Sequence, residues 1–303
     1  MKVIGSDCQS GGRKMPDGRM VNEDGLEIFS VDYLGKKYDF VVVMDGATGL
    51  GKGYQIVEGY TSAEWYVSFM IKELKEMFEN NPSASLMMVV ENCIQKAIEE
   101  IAAYERDNNI TLEEYQKPSA ALTLLRTDGE VTDVYLIGDS QGLVALNNGV
   151  VSQIDNPNQK ALQKLDSAVI KKMVELSKEK DCSVLDTRNC EEIQKMLIDN
   201  RSKKNTDVDG SYWVCGTTSG TANHGACITF NNSLVSGFVL ATDGFDYSVL
   251  ELDEKQVWEL IIEKGVDFVT TQIRDVQEND PLCDKFPRLK KADDLTVVCL
   301  DYR

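Results

Sequence analysis

Apolar runs punctuated by glycine and aspartate set the rhythm of this 303-residue chain. Leu26–Asp32 alternates apolar and polar residues, turns at Leu34-Gly35-Lys36-Lys37 and returns through Tyr38–Met44, which predicts a β-hairpin. Ala120–Arg126 turns through Asp128-Gly129 into Val131–Ile137, and Gly142–Leu146 turns through Asn148-Gly149 into Val150–Ile154. Asp-Gly and Asn-Gly between such alternations are strong hairpin signals. Further strands are expected at Tyr212–Cys215, Ala226–Phe230, Leu234–Ala241 and Leu295–Asp301. Helical spacing runs from about Gln55 to Phe78 and, after Pro82-Ser83, from Leu86 to Arg106. Asp253-Glu-Lys-Gln256 has capping-box character and opens a helix to about Gln277, whereas little helix follows the similar string Thr111-Leu-Glu-Glu114. Residues 157 to about 204 read as polar helices with thin apolar stripes, a helical insertion over about 155–210 on the rim of the core. Hairpins dominate and helices come in pairs. The expected class is therefore α+β: two mainly antiparallel β-sheets sandwiched between layers of α-helices (a four-layer αββα arrangement), in a single domain over residues 1–303.

The second regularity is chemical. Phe40–Met44 runs into Asp45-Gly46, Val134–Ile137 into Gly138-Asp139-Ser140, and Phe238–Thr242 into Asp243-Gly244, while Asp293-Asp294 leads into Leu295–Leu300. A carboxylate at a strand end can reach a cleft while its backbone is held rigidly. Several brought together repel one another and are costly to desolvate unless cations neutralise them. That pattern predicts a multi-metal site built from oxygen ligands.

Composition narrows the partners. With 50 acidic against 32 basic residues and a formal net charge of −18, the surface repels nucleic acid and anionic membranes. Eight cysteines form no C-x-x-C pair, no apolar run approaches the roughly 20 residues of a membrane span, and Met1-Lys2-Val3-Ile4 lacks the apolar core of a signal peptide. The expectation is a cytoplasmic protein with reduced thiols and no nucleic-acid or membrane partner.

Asn22-Glu23-Asp24 precedes the first hairpin, with Arg19 five residues ahead of Asp24. In order with Asp45-Gly46, Gly138-Asp139-Ser140, Asp243-Gly244 and Asp293-Asp294-Leu295-Thr296, this set resembles the metal-dependent type 2C serine/threonine protein phosphatases, in their bacterial form, from Arg19 to Thr296. The resemblance implies hydrolysis of phosphoserine or phosphothreonine in phosphoproteins, the substrates of a cognate kinase among them, by a metal-activated water. It implies two Mn²⁺ or Mg²⁺ ions, or three as in some bacterial members. Asp45 would bridge two ions, the Gly46 carbonyl would reach one, and Asp243 and Asp293 would complete the other. Glu23 and Asp24 would act mainly through bound waters, Arg19 would grip the substrate phosphate, and Asp139 would serve the third ion. Oxygen donors suit hard octahedral cations, and Arg gives phosphate planar bidentate contacts.

Three departures stand out. Gln141 replaces an Arg common after the Gly-Asp-Ser motif, Asp294 takes an Asn position, and no His follows Asp45-Gly46 as a general acid. The alternative is therefore a weak or inactive phosphatase-fold binding module, although none of the metal-site aspartates is lost. A nucleotide hydrolase using Gly46–Lys52 is a further reading, but Gly53 stands where a P-loop needs a hydroxyl. Asn205-x-Asp207-x-Asp209-Gly210 starts like a calcium loop but has Gly216 at the twelfth position, so a polar turn is expected. His224, the only histidine, is read as a loop residue, and Trp65, Trp213 and Trp258 as packing residues.

Overall fold

The computed structural model describes residues 1–50 and 54–303. In chain order the elements are β1 (Lys2–Gln9), β2 (Asp24–Tyr33), β3 (Lys36–Ala47), α1 (Ser62–Asn80), α2 (Leu86–Asp107), β4 (Ser119–Thr127), β5 (Val131–Ile137), β6 (Gln141–Leu146) and β7 (Val151–Gln153). There follow α3 (Pro157–Lys180), α4 (Glu191–Arg201), β8 (Ala226–Asn231), β9 (Val235–Ala241), α5 (Glu254–Lys264), α6 (Val266–Glu278) and β10 (Leu295–Asp301). The strands form two five-stranded sheets, β1-β10-β9-β6-β7 and β2-β3-β4-β5-β8, and each neighbouring pair is antiparallel.

Three apolar layers hold these elements together. Val41, Val43, Leu136, Val144, Phe238 and Val298 fill the space between the sheets. The opposite faces of the same strands alternate outward, as the two-residue period of a strand requires. Thus Phe40, Val42 and Met44 pack under α1 and α2 with Met70, Phe78 and Ile94, and Val239, Val297 and Cys299 pack under α5 and α6 with Trp258, Ile261 and Ile273. The predicted αββα sandwich is what the chain forms. A fourth, smaller cluster of Val169, Met173, Leu176 and Ile193 holds α3 to α4, joined by Cys283 from the loop before β10.

The local departures have physical reasons. Met1–Gln9 carries no alternation, yet it forms edge strand β1 because β10 offers it a full ladder. Helix α1 starts at Ser62 rather than near Gln55, since Thr61 and Glu64 form a capping box. The single helix expected over 253–277 is two, broken at Gly265, whose φ of 96° few other residues tolerate. Tyr212–Cys215 is not a strand but makes only isolated bridges, to Lys204 and Ala120. Among the described residues no helix is long and apolar enough to cross a membrane.

A candidate active site of crowded carboxylates

The acidic strand ends meet. Asp24 and Asp45 are direct partners across β2 and β3, and Asp45, Asp139, Asp243 and Asp293 line one cleft of about 520 Å³ together with Glu23 and Gly46. Asp24 lies behind this wall, its Oδ2 accepting from Thr242 Oγ1 at 2.8 Å. Its Oδ1 is buried with no hydrogen-bond partner.

Backbone approaches too tight for any side chain set the positions. The Gly46 N–H donates to the Glu23 carbonyl at 3.1 Å, and a Cβ at Gly46 would sit 2.4 Å from that oxygen. At Gly244 a Cβ would fall 1.9 Å from the Asp294 carbonyl, which locks the end of β9 to the start of β10. Asp294 is turned inward rather than to the cleft, its two oxygens accepting from the Gly11 and Glu23 backbone N–H groups at 2.7 Å each. It therefore ties the N-terminal loop to the site.

Electrostatics follow from burial and crowding. Burial, then the charges of Asp243, Asp24, Asp139 and Asp293, push the Asp45 carboxyl well above the carboxylate range. Burial and then Asp293 and Asp139 raise Asp243 to about 7. Burial and then Asp166 raise Asp139 to about 6. Lys290, 2.7 Å from Asp293, is held above its ordinary value by Asp293, Asp243 and Asp45 against its desolvation cost. So many like charges around one lysine are unstable as free anions. An unpartnered Asp24 oxygen and an all-oxygen donor set fit a hard divalent cation. Among the described residues, however, no three His, Cys, Asp or Glu side chains converge at metal-binding spacing as they stand.

Arg19 is placed elsewhere. Its guanidinium makes a bidentate pair with Glu64 at 2.6 and 3.0 Å, donates to the Gly59 carbonyl at 2.5 Å and lies over the Tyr60 ring. The cleft instead contains Arg13, paired with Glu23 at 3.0 Å. It also contains four residues the sequence reading passed over: Asp166 of α3, Arg188, Arg201 and Arg288. Burial and then Asp243 raise Asp166 to about 6. No spacing or motif distinguishes these four from other charged residues in polar segments, and only the fold brings them over the carboxylates.

A family model described as Protein phosphatase 2C matches residues 18–279, 262 of the 303 positions. The chain belongs to this family. Its solved structures agree in fold. A bacterial serine phosphatase is 14% identical over 100% of this chain and 98% of its own, with a TM-score of 0.56. The serine/threonine phosphatase Stp1 from Staphylococcus aureus is 16% identical over 99% and 95%, with a TM-score of 0.55. The serine/threonine phosphatase PstP/Ppp from Mycobacterium tuberculosis is 14% identical over 98% and 97%, with a TM-score of 0.51. No curated protein matches the sequence. The family to which this chain belongs is one of serine/threonine phosphatases.

The competing motifs lose their context within this fold. Gly46 and Ala47 end β3, which is paired antiparallel on both sides, unlike the parallel β-α-β setting of a P-loop. Gly51 and Lys52 lie outside the described residues. Asn205 Oδ1 accepts from the Val214 N–H at 2.9 Å, so its side chain serves the turn. His224 stacks face to face on Trp213, with ring centroids 3.3 Å apart.

Proposed function

We propose that this chain is a metal-dependent phosphoprotein phosphatase acting on phosphoserine and phosphothreonine. The observation that carries the reading is the meeting of Asp45, Asp139, Asp243 and Asp293 in one cleft of a type 2C fold, with Asp24 behind them. Mn²⁺ or Mg²⁺ bound there would supply Lewis acidity toward phosphoryl oxygens and an acidified water. Asp45, Asp243 and Asp293 would hold such ions, with the Gly46 carbonyl beside Asp45, and Asp139 would serve a further one. Asp24 and Glu23 are better placed to orient water: Asp24 through its free Oδ1, Glu23 through its contacts with Thr48 and Arg13.

On the phosphate side, Arg13 already reaches the cleft, while Arg19 would have to leave Glu64 to serve there. Ala47 and Thr48 follow Asp45-Gly46, so this loop brings no imidazole to the leaving oxygen. Segment 155–210 is read as a flap, since α3 and α4 contribute Asp166 and Arg201 to the rim. The second reading, a phosphatase fold that binds without turnover, draws on the engagement of Arg19 by Glu64.

One experiment separates the two. Phosphate release from a phosphothreonine peptide and from p-nitrophenyl phosphate is measured with Mn²⁺ and then with excess EDTA, alongside Asp45→Ala and Asp243→Ala. The expected result is turnover that needs Mn²⁺ and falls by at least about a hundredfold in either variant, the scale of losing one preorganised charge contact. Wild-type protein that binds Mn²⁺ by calorimetry yet releases no phosphate would establish the binding-module reading instead.

A further inference from the structure

The cleft of this strongly acidic protein has a carboxylate floor but, among the described residues, a rim with five cations: Arg13, Arg188, Arg201, Arg288 and Lys290. Three of them are already committed to carboxylates, Arg13 to Glu23, Arg288 to Asp280 and Lys290 to Asp293. Arg188 and Arg201 are different. Among the described residues neither has a carboxylate within ion-pair distance, and of the five N–H donors on each guanidinium only one finds an acceptor. Arg188 Nη1 donates to the Leu289 carbonyl, and Arg201 Nη1 donates to Ser119 Oγ at 3.1 Å.

Both arginines come from the segment between β7 and β8. Arg188 lies in a short 3₁₀ turn ahead of α4, and Arg201 is the last residue of that helix. Both line the cleft. The charge of Arg201 acts on Asp139 and Asp166, whereas that of Arg188 is felt from Asp293 and Asp166. A helix C-terminus favours a cation, which accounts for an arginine at position 201 but not for its aim into the cleft. Half-buried guanidiniums with most donors unused are poised for an anion brought from outside, and planar forks suit carboxylate or phosphate.

Resting on the phosphatase reading of the floor, we propose that Arg188 and Arg201 form an anion grip for the substrate chain, selecting phosphosites flanked by acidic residues or by a second phosphoresidue. Such a grip gives a protein of net charge −18 a local means of attracting polyanionic segments that the rest of its surface repels.

The test uses three synthetic phosphothreonine peptides that differ only beside the phosphosite, bearing Asp/Glu, a phosphoserine or Asn/Gln. They are assayed as kcat/KM with Mn²⁺ on the full chain, on Arg201→Gln and on Arg188→Gln. Wild-type protein should prefer both charged peptides over the neutral one by roughly tenfold or more, the scale of one charge-assisted hydrogen bond. Each variant should lose most of that preference, carried by KM rather than kcat, and Arg201→Lys should recover part of it. A preference for the phosphoserine peptide alone would narrow the grip to a second phosphate.

Binding of the same peptides, with phosphonate in place of phosphate, is followed by fluorescence anisotropy. The grip is therefore still tested if turnover is absent. Equal rates on all peptides in the wild type would overturn the proposal. So would losses in the variants that are the same for charged and neutral peptides, as expected if the arginines only offset Asp139 and Asp166.

Discussion

The crowding of carboxylates makes a counterintuitive prediction: removing one of them should stabilise the metal-free protein. Asp243 lies two residues past β9, near Asp293 and Asp139, and its carboxyl rises from an ordinary 3.8 to about 7, first by burial and then by those charges. Between these two values the folded protein keeps a proton that the unfolded chain has released. Stability therefore falls as pH rises through that window, and above it the folded state carries the full unfavourable charge.

At about 1.4 kcal/mol for each pH unit, the whole gap corresponds to on the order of 4 kcal/mol. Solvent screening in this partly exposed cleft removes part of it, leaving roughly 2 kcal/mol. Urea unfolding of EDTA-treated wild type and Asp243→Asn at pH 8 should show the variant more stable by about that amount. At pH 5 more of the wild-type group is protonated in the folded state, and the gain should be smaller. Adding Mn²⁺ should reverse the order, because only the wild type retains the full ligand set to be stabilised by binding. A variant no more stable at pH 8, or stabilised equally at pH 5, would refute the account of the cleft as strained by its own charge.

Two further outcomes bear on the frame around the site. Gly244→Ala should lower stability by about 2–3 kcal/mol, since the new Cβ meets backbone that cannot move aside without displacing β10; an unchanged thermal midpoint would show that the tight approach is not needed. Lys204 is fully buried with its Nζ on the Lys117 carbonyl, and burial lowers it to about 7. Its cost to folding is absent above about pH 10.5, grows as pH falls and is complete below 7. Lys204→Met should thus gain on the order of 3 kcal/mol at pH 7 and little at pH 10, as read by denaturant unfolding.

Much of the candidate site was legible because its residues sit at the ends of regular patterns. Asp45, Asp139 and Asp243 each follow an apolar run, so the pattern that sets the strand also sets where the acid falls. The same logic located the three hairpins and the first helix pair. It failed at β1, whose sequence has no alternation and whose strand character comes from a partner 286–299 positions away along the chain. It failed also at Gly265, where one residue's backbone freedom divides a continuous helical pattern.

What the sequence by itself determined is the sandwich, the carboxylate set and their order, since these depend on local periodicity and on residue type. The tertiary structure decided which charges share a space. It drew Arg19 onto Glu64, turned Asp294 inward onto backbone N–H groups, and brought Asp166, Arg188 and Arg201 over the floor. The placement of Asp166, Arg188 and Arg201 depends on how α3 and α4 pack on one another and lie against the loop before β10. Polar helices with thin apolar stripes leave that docking unspecified until the apolar contacts of Val169, Met173, Ile193 and Cys283 close.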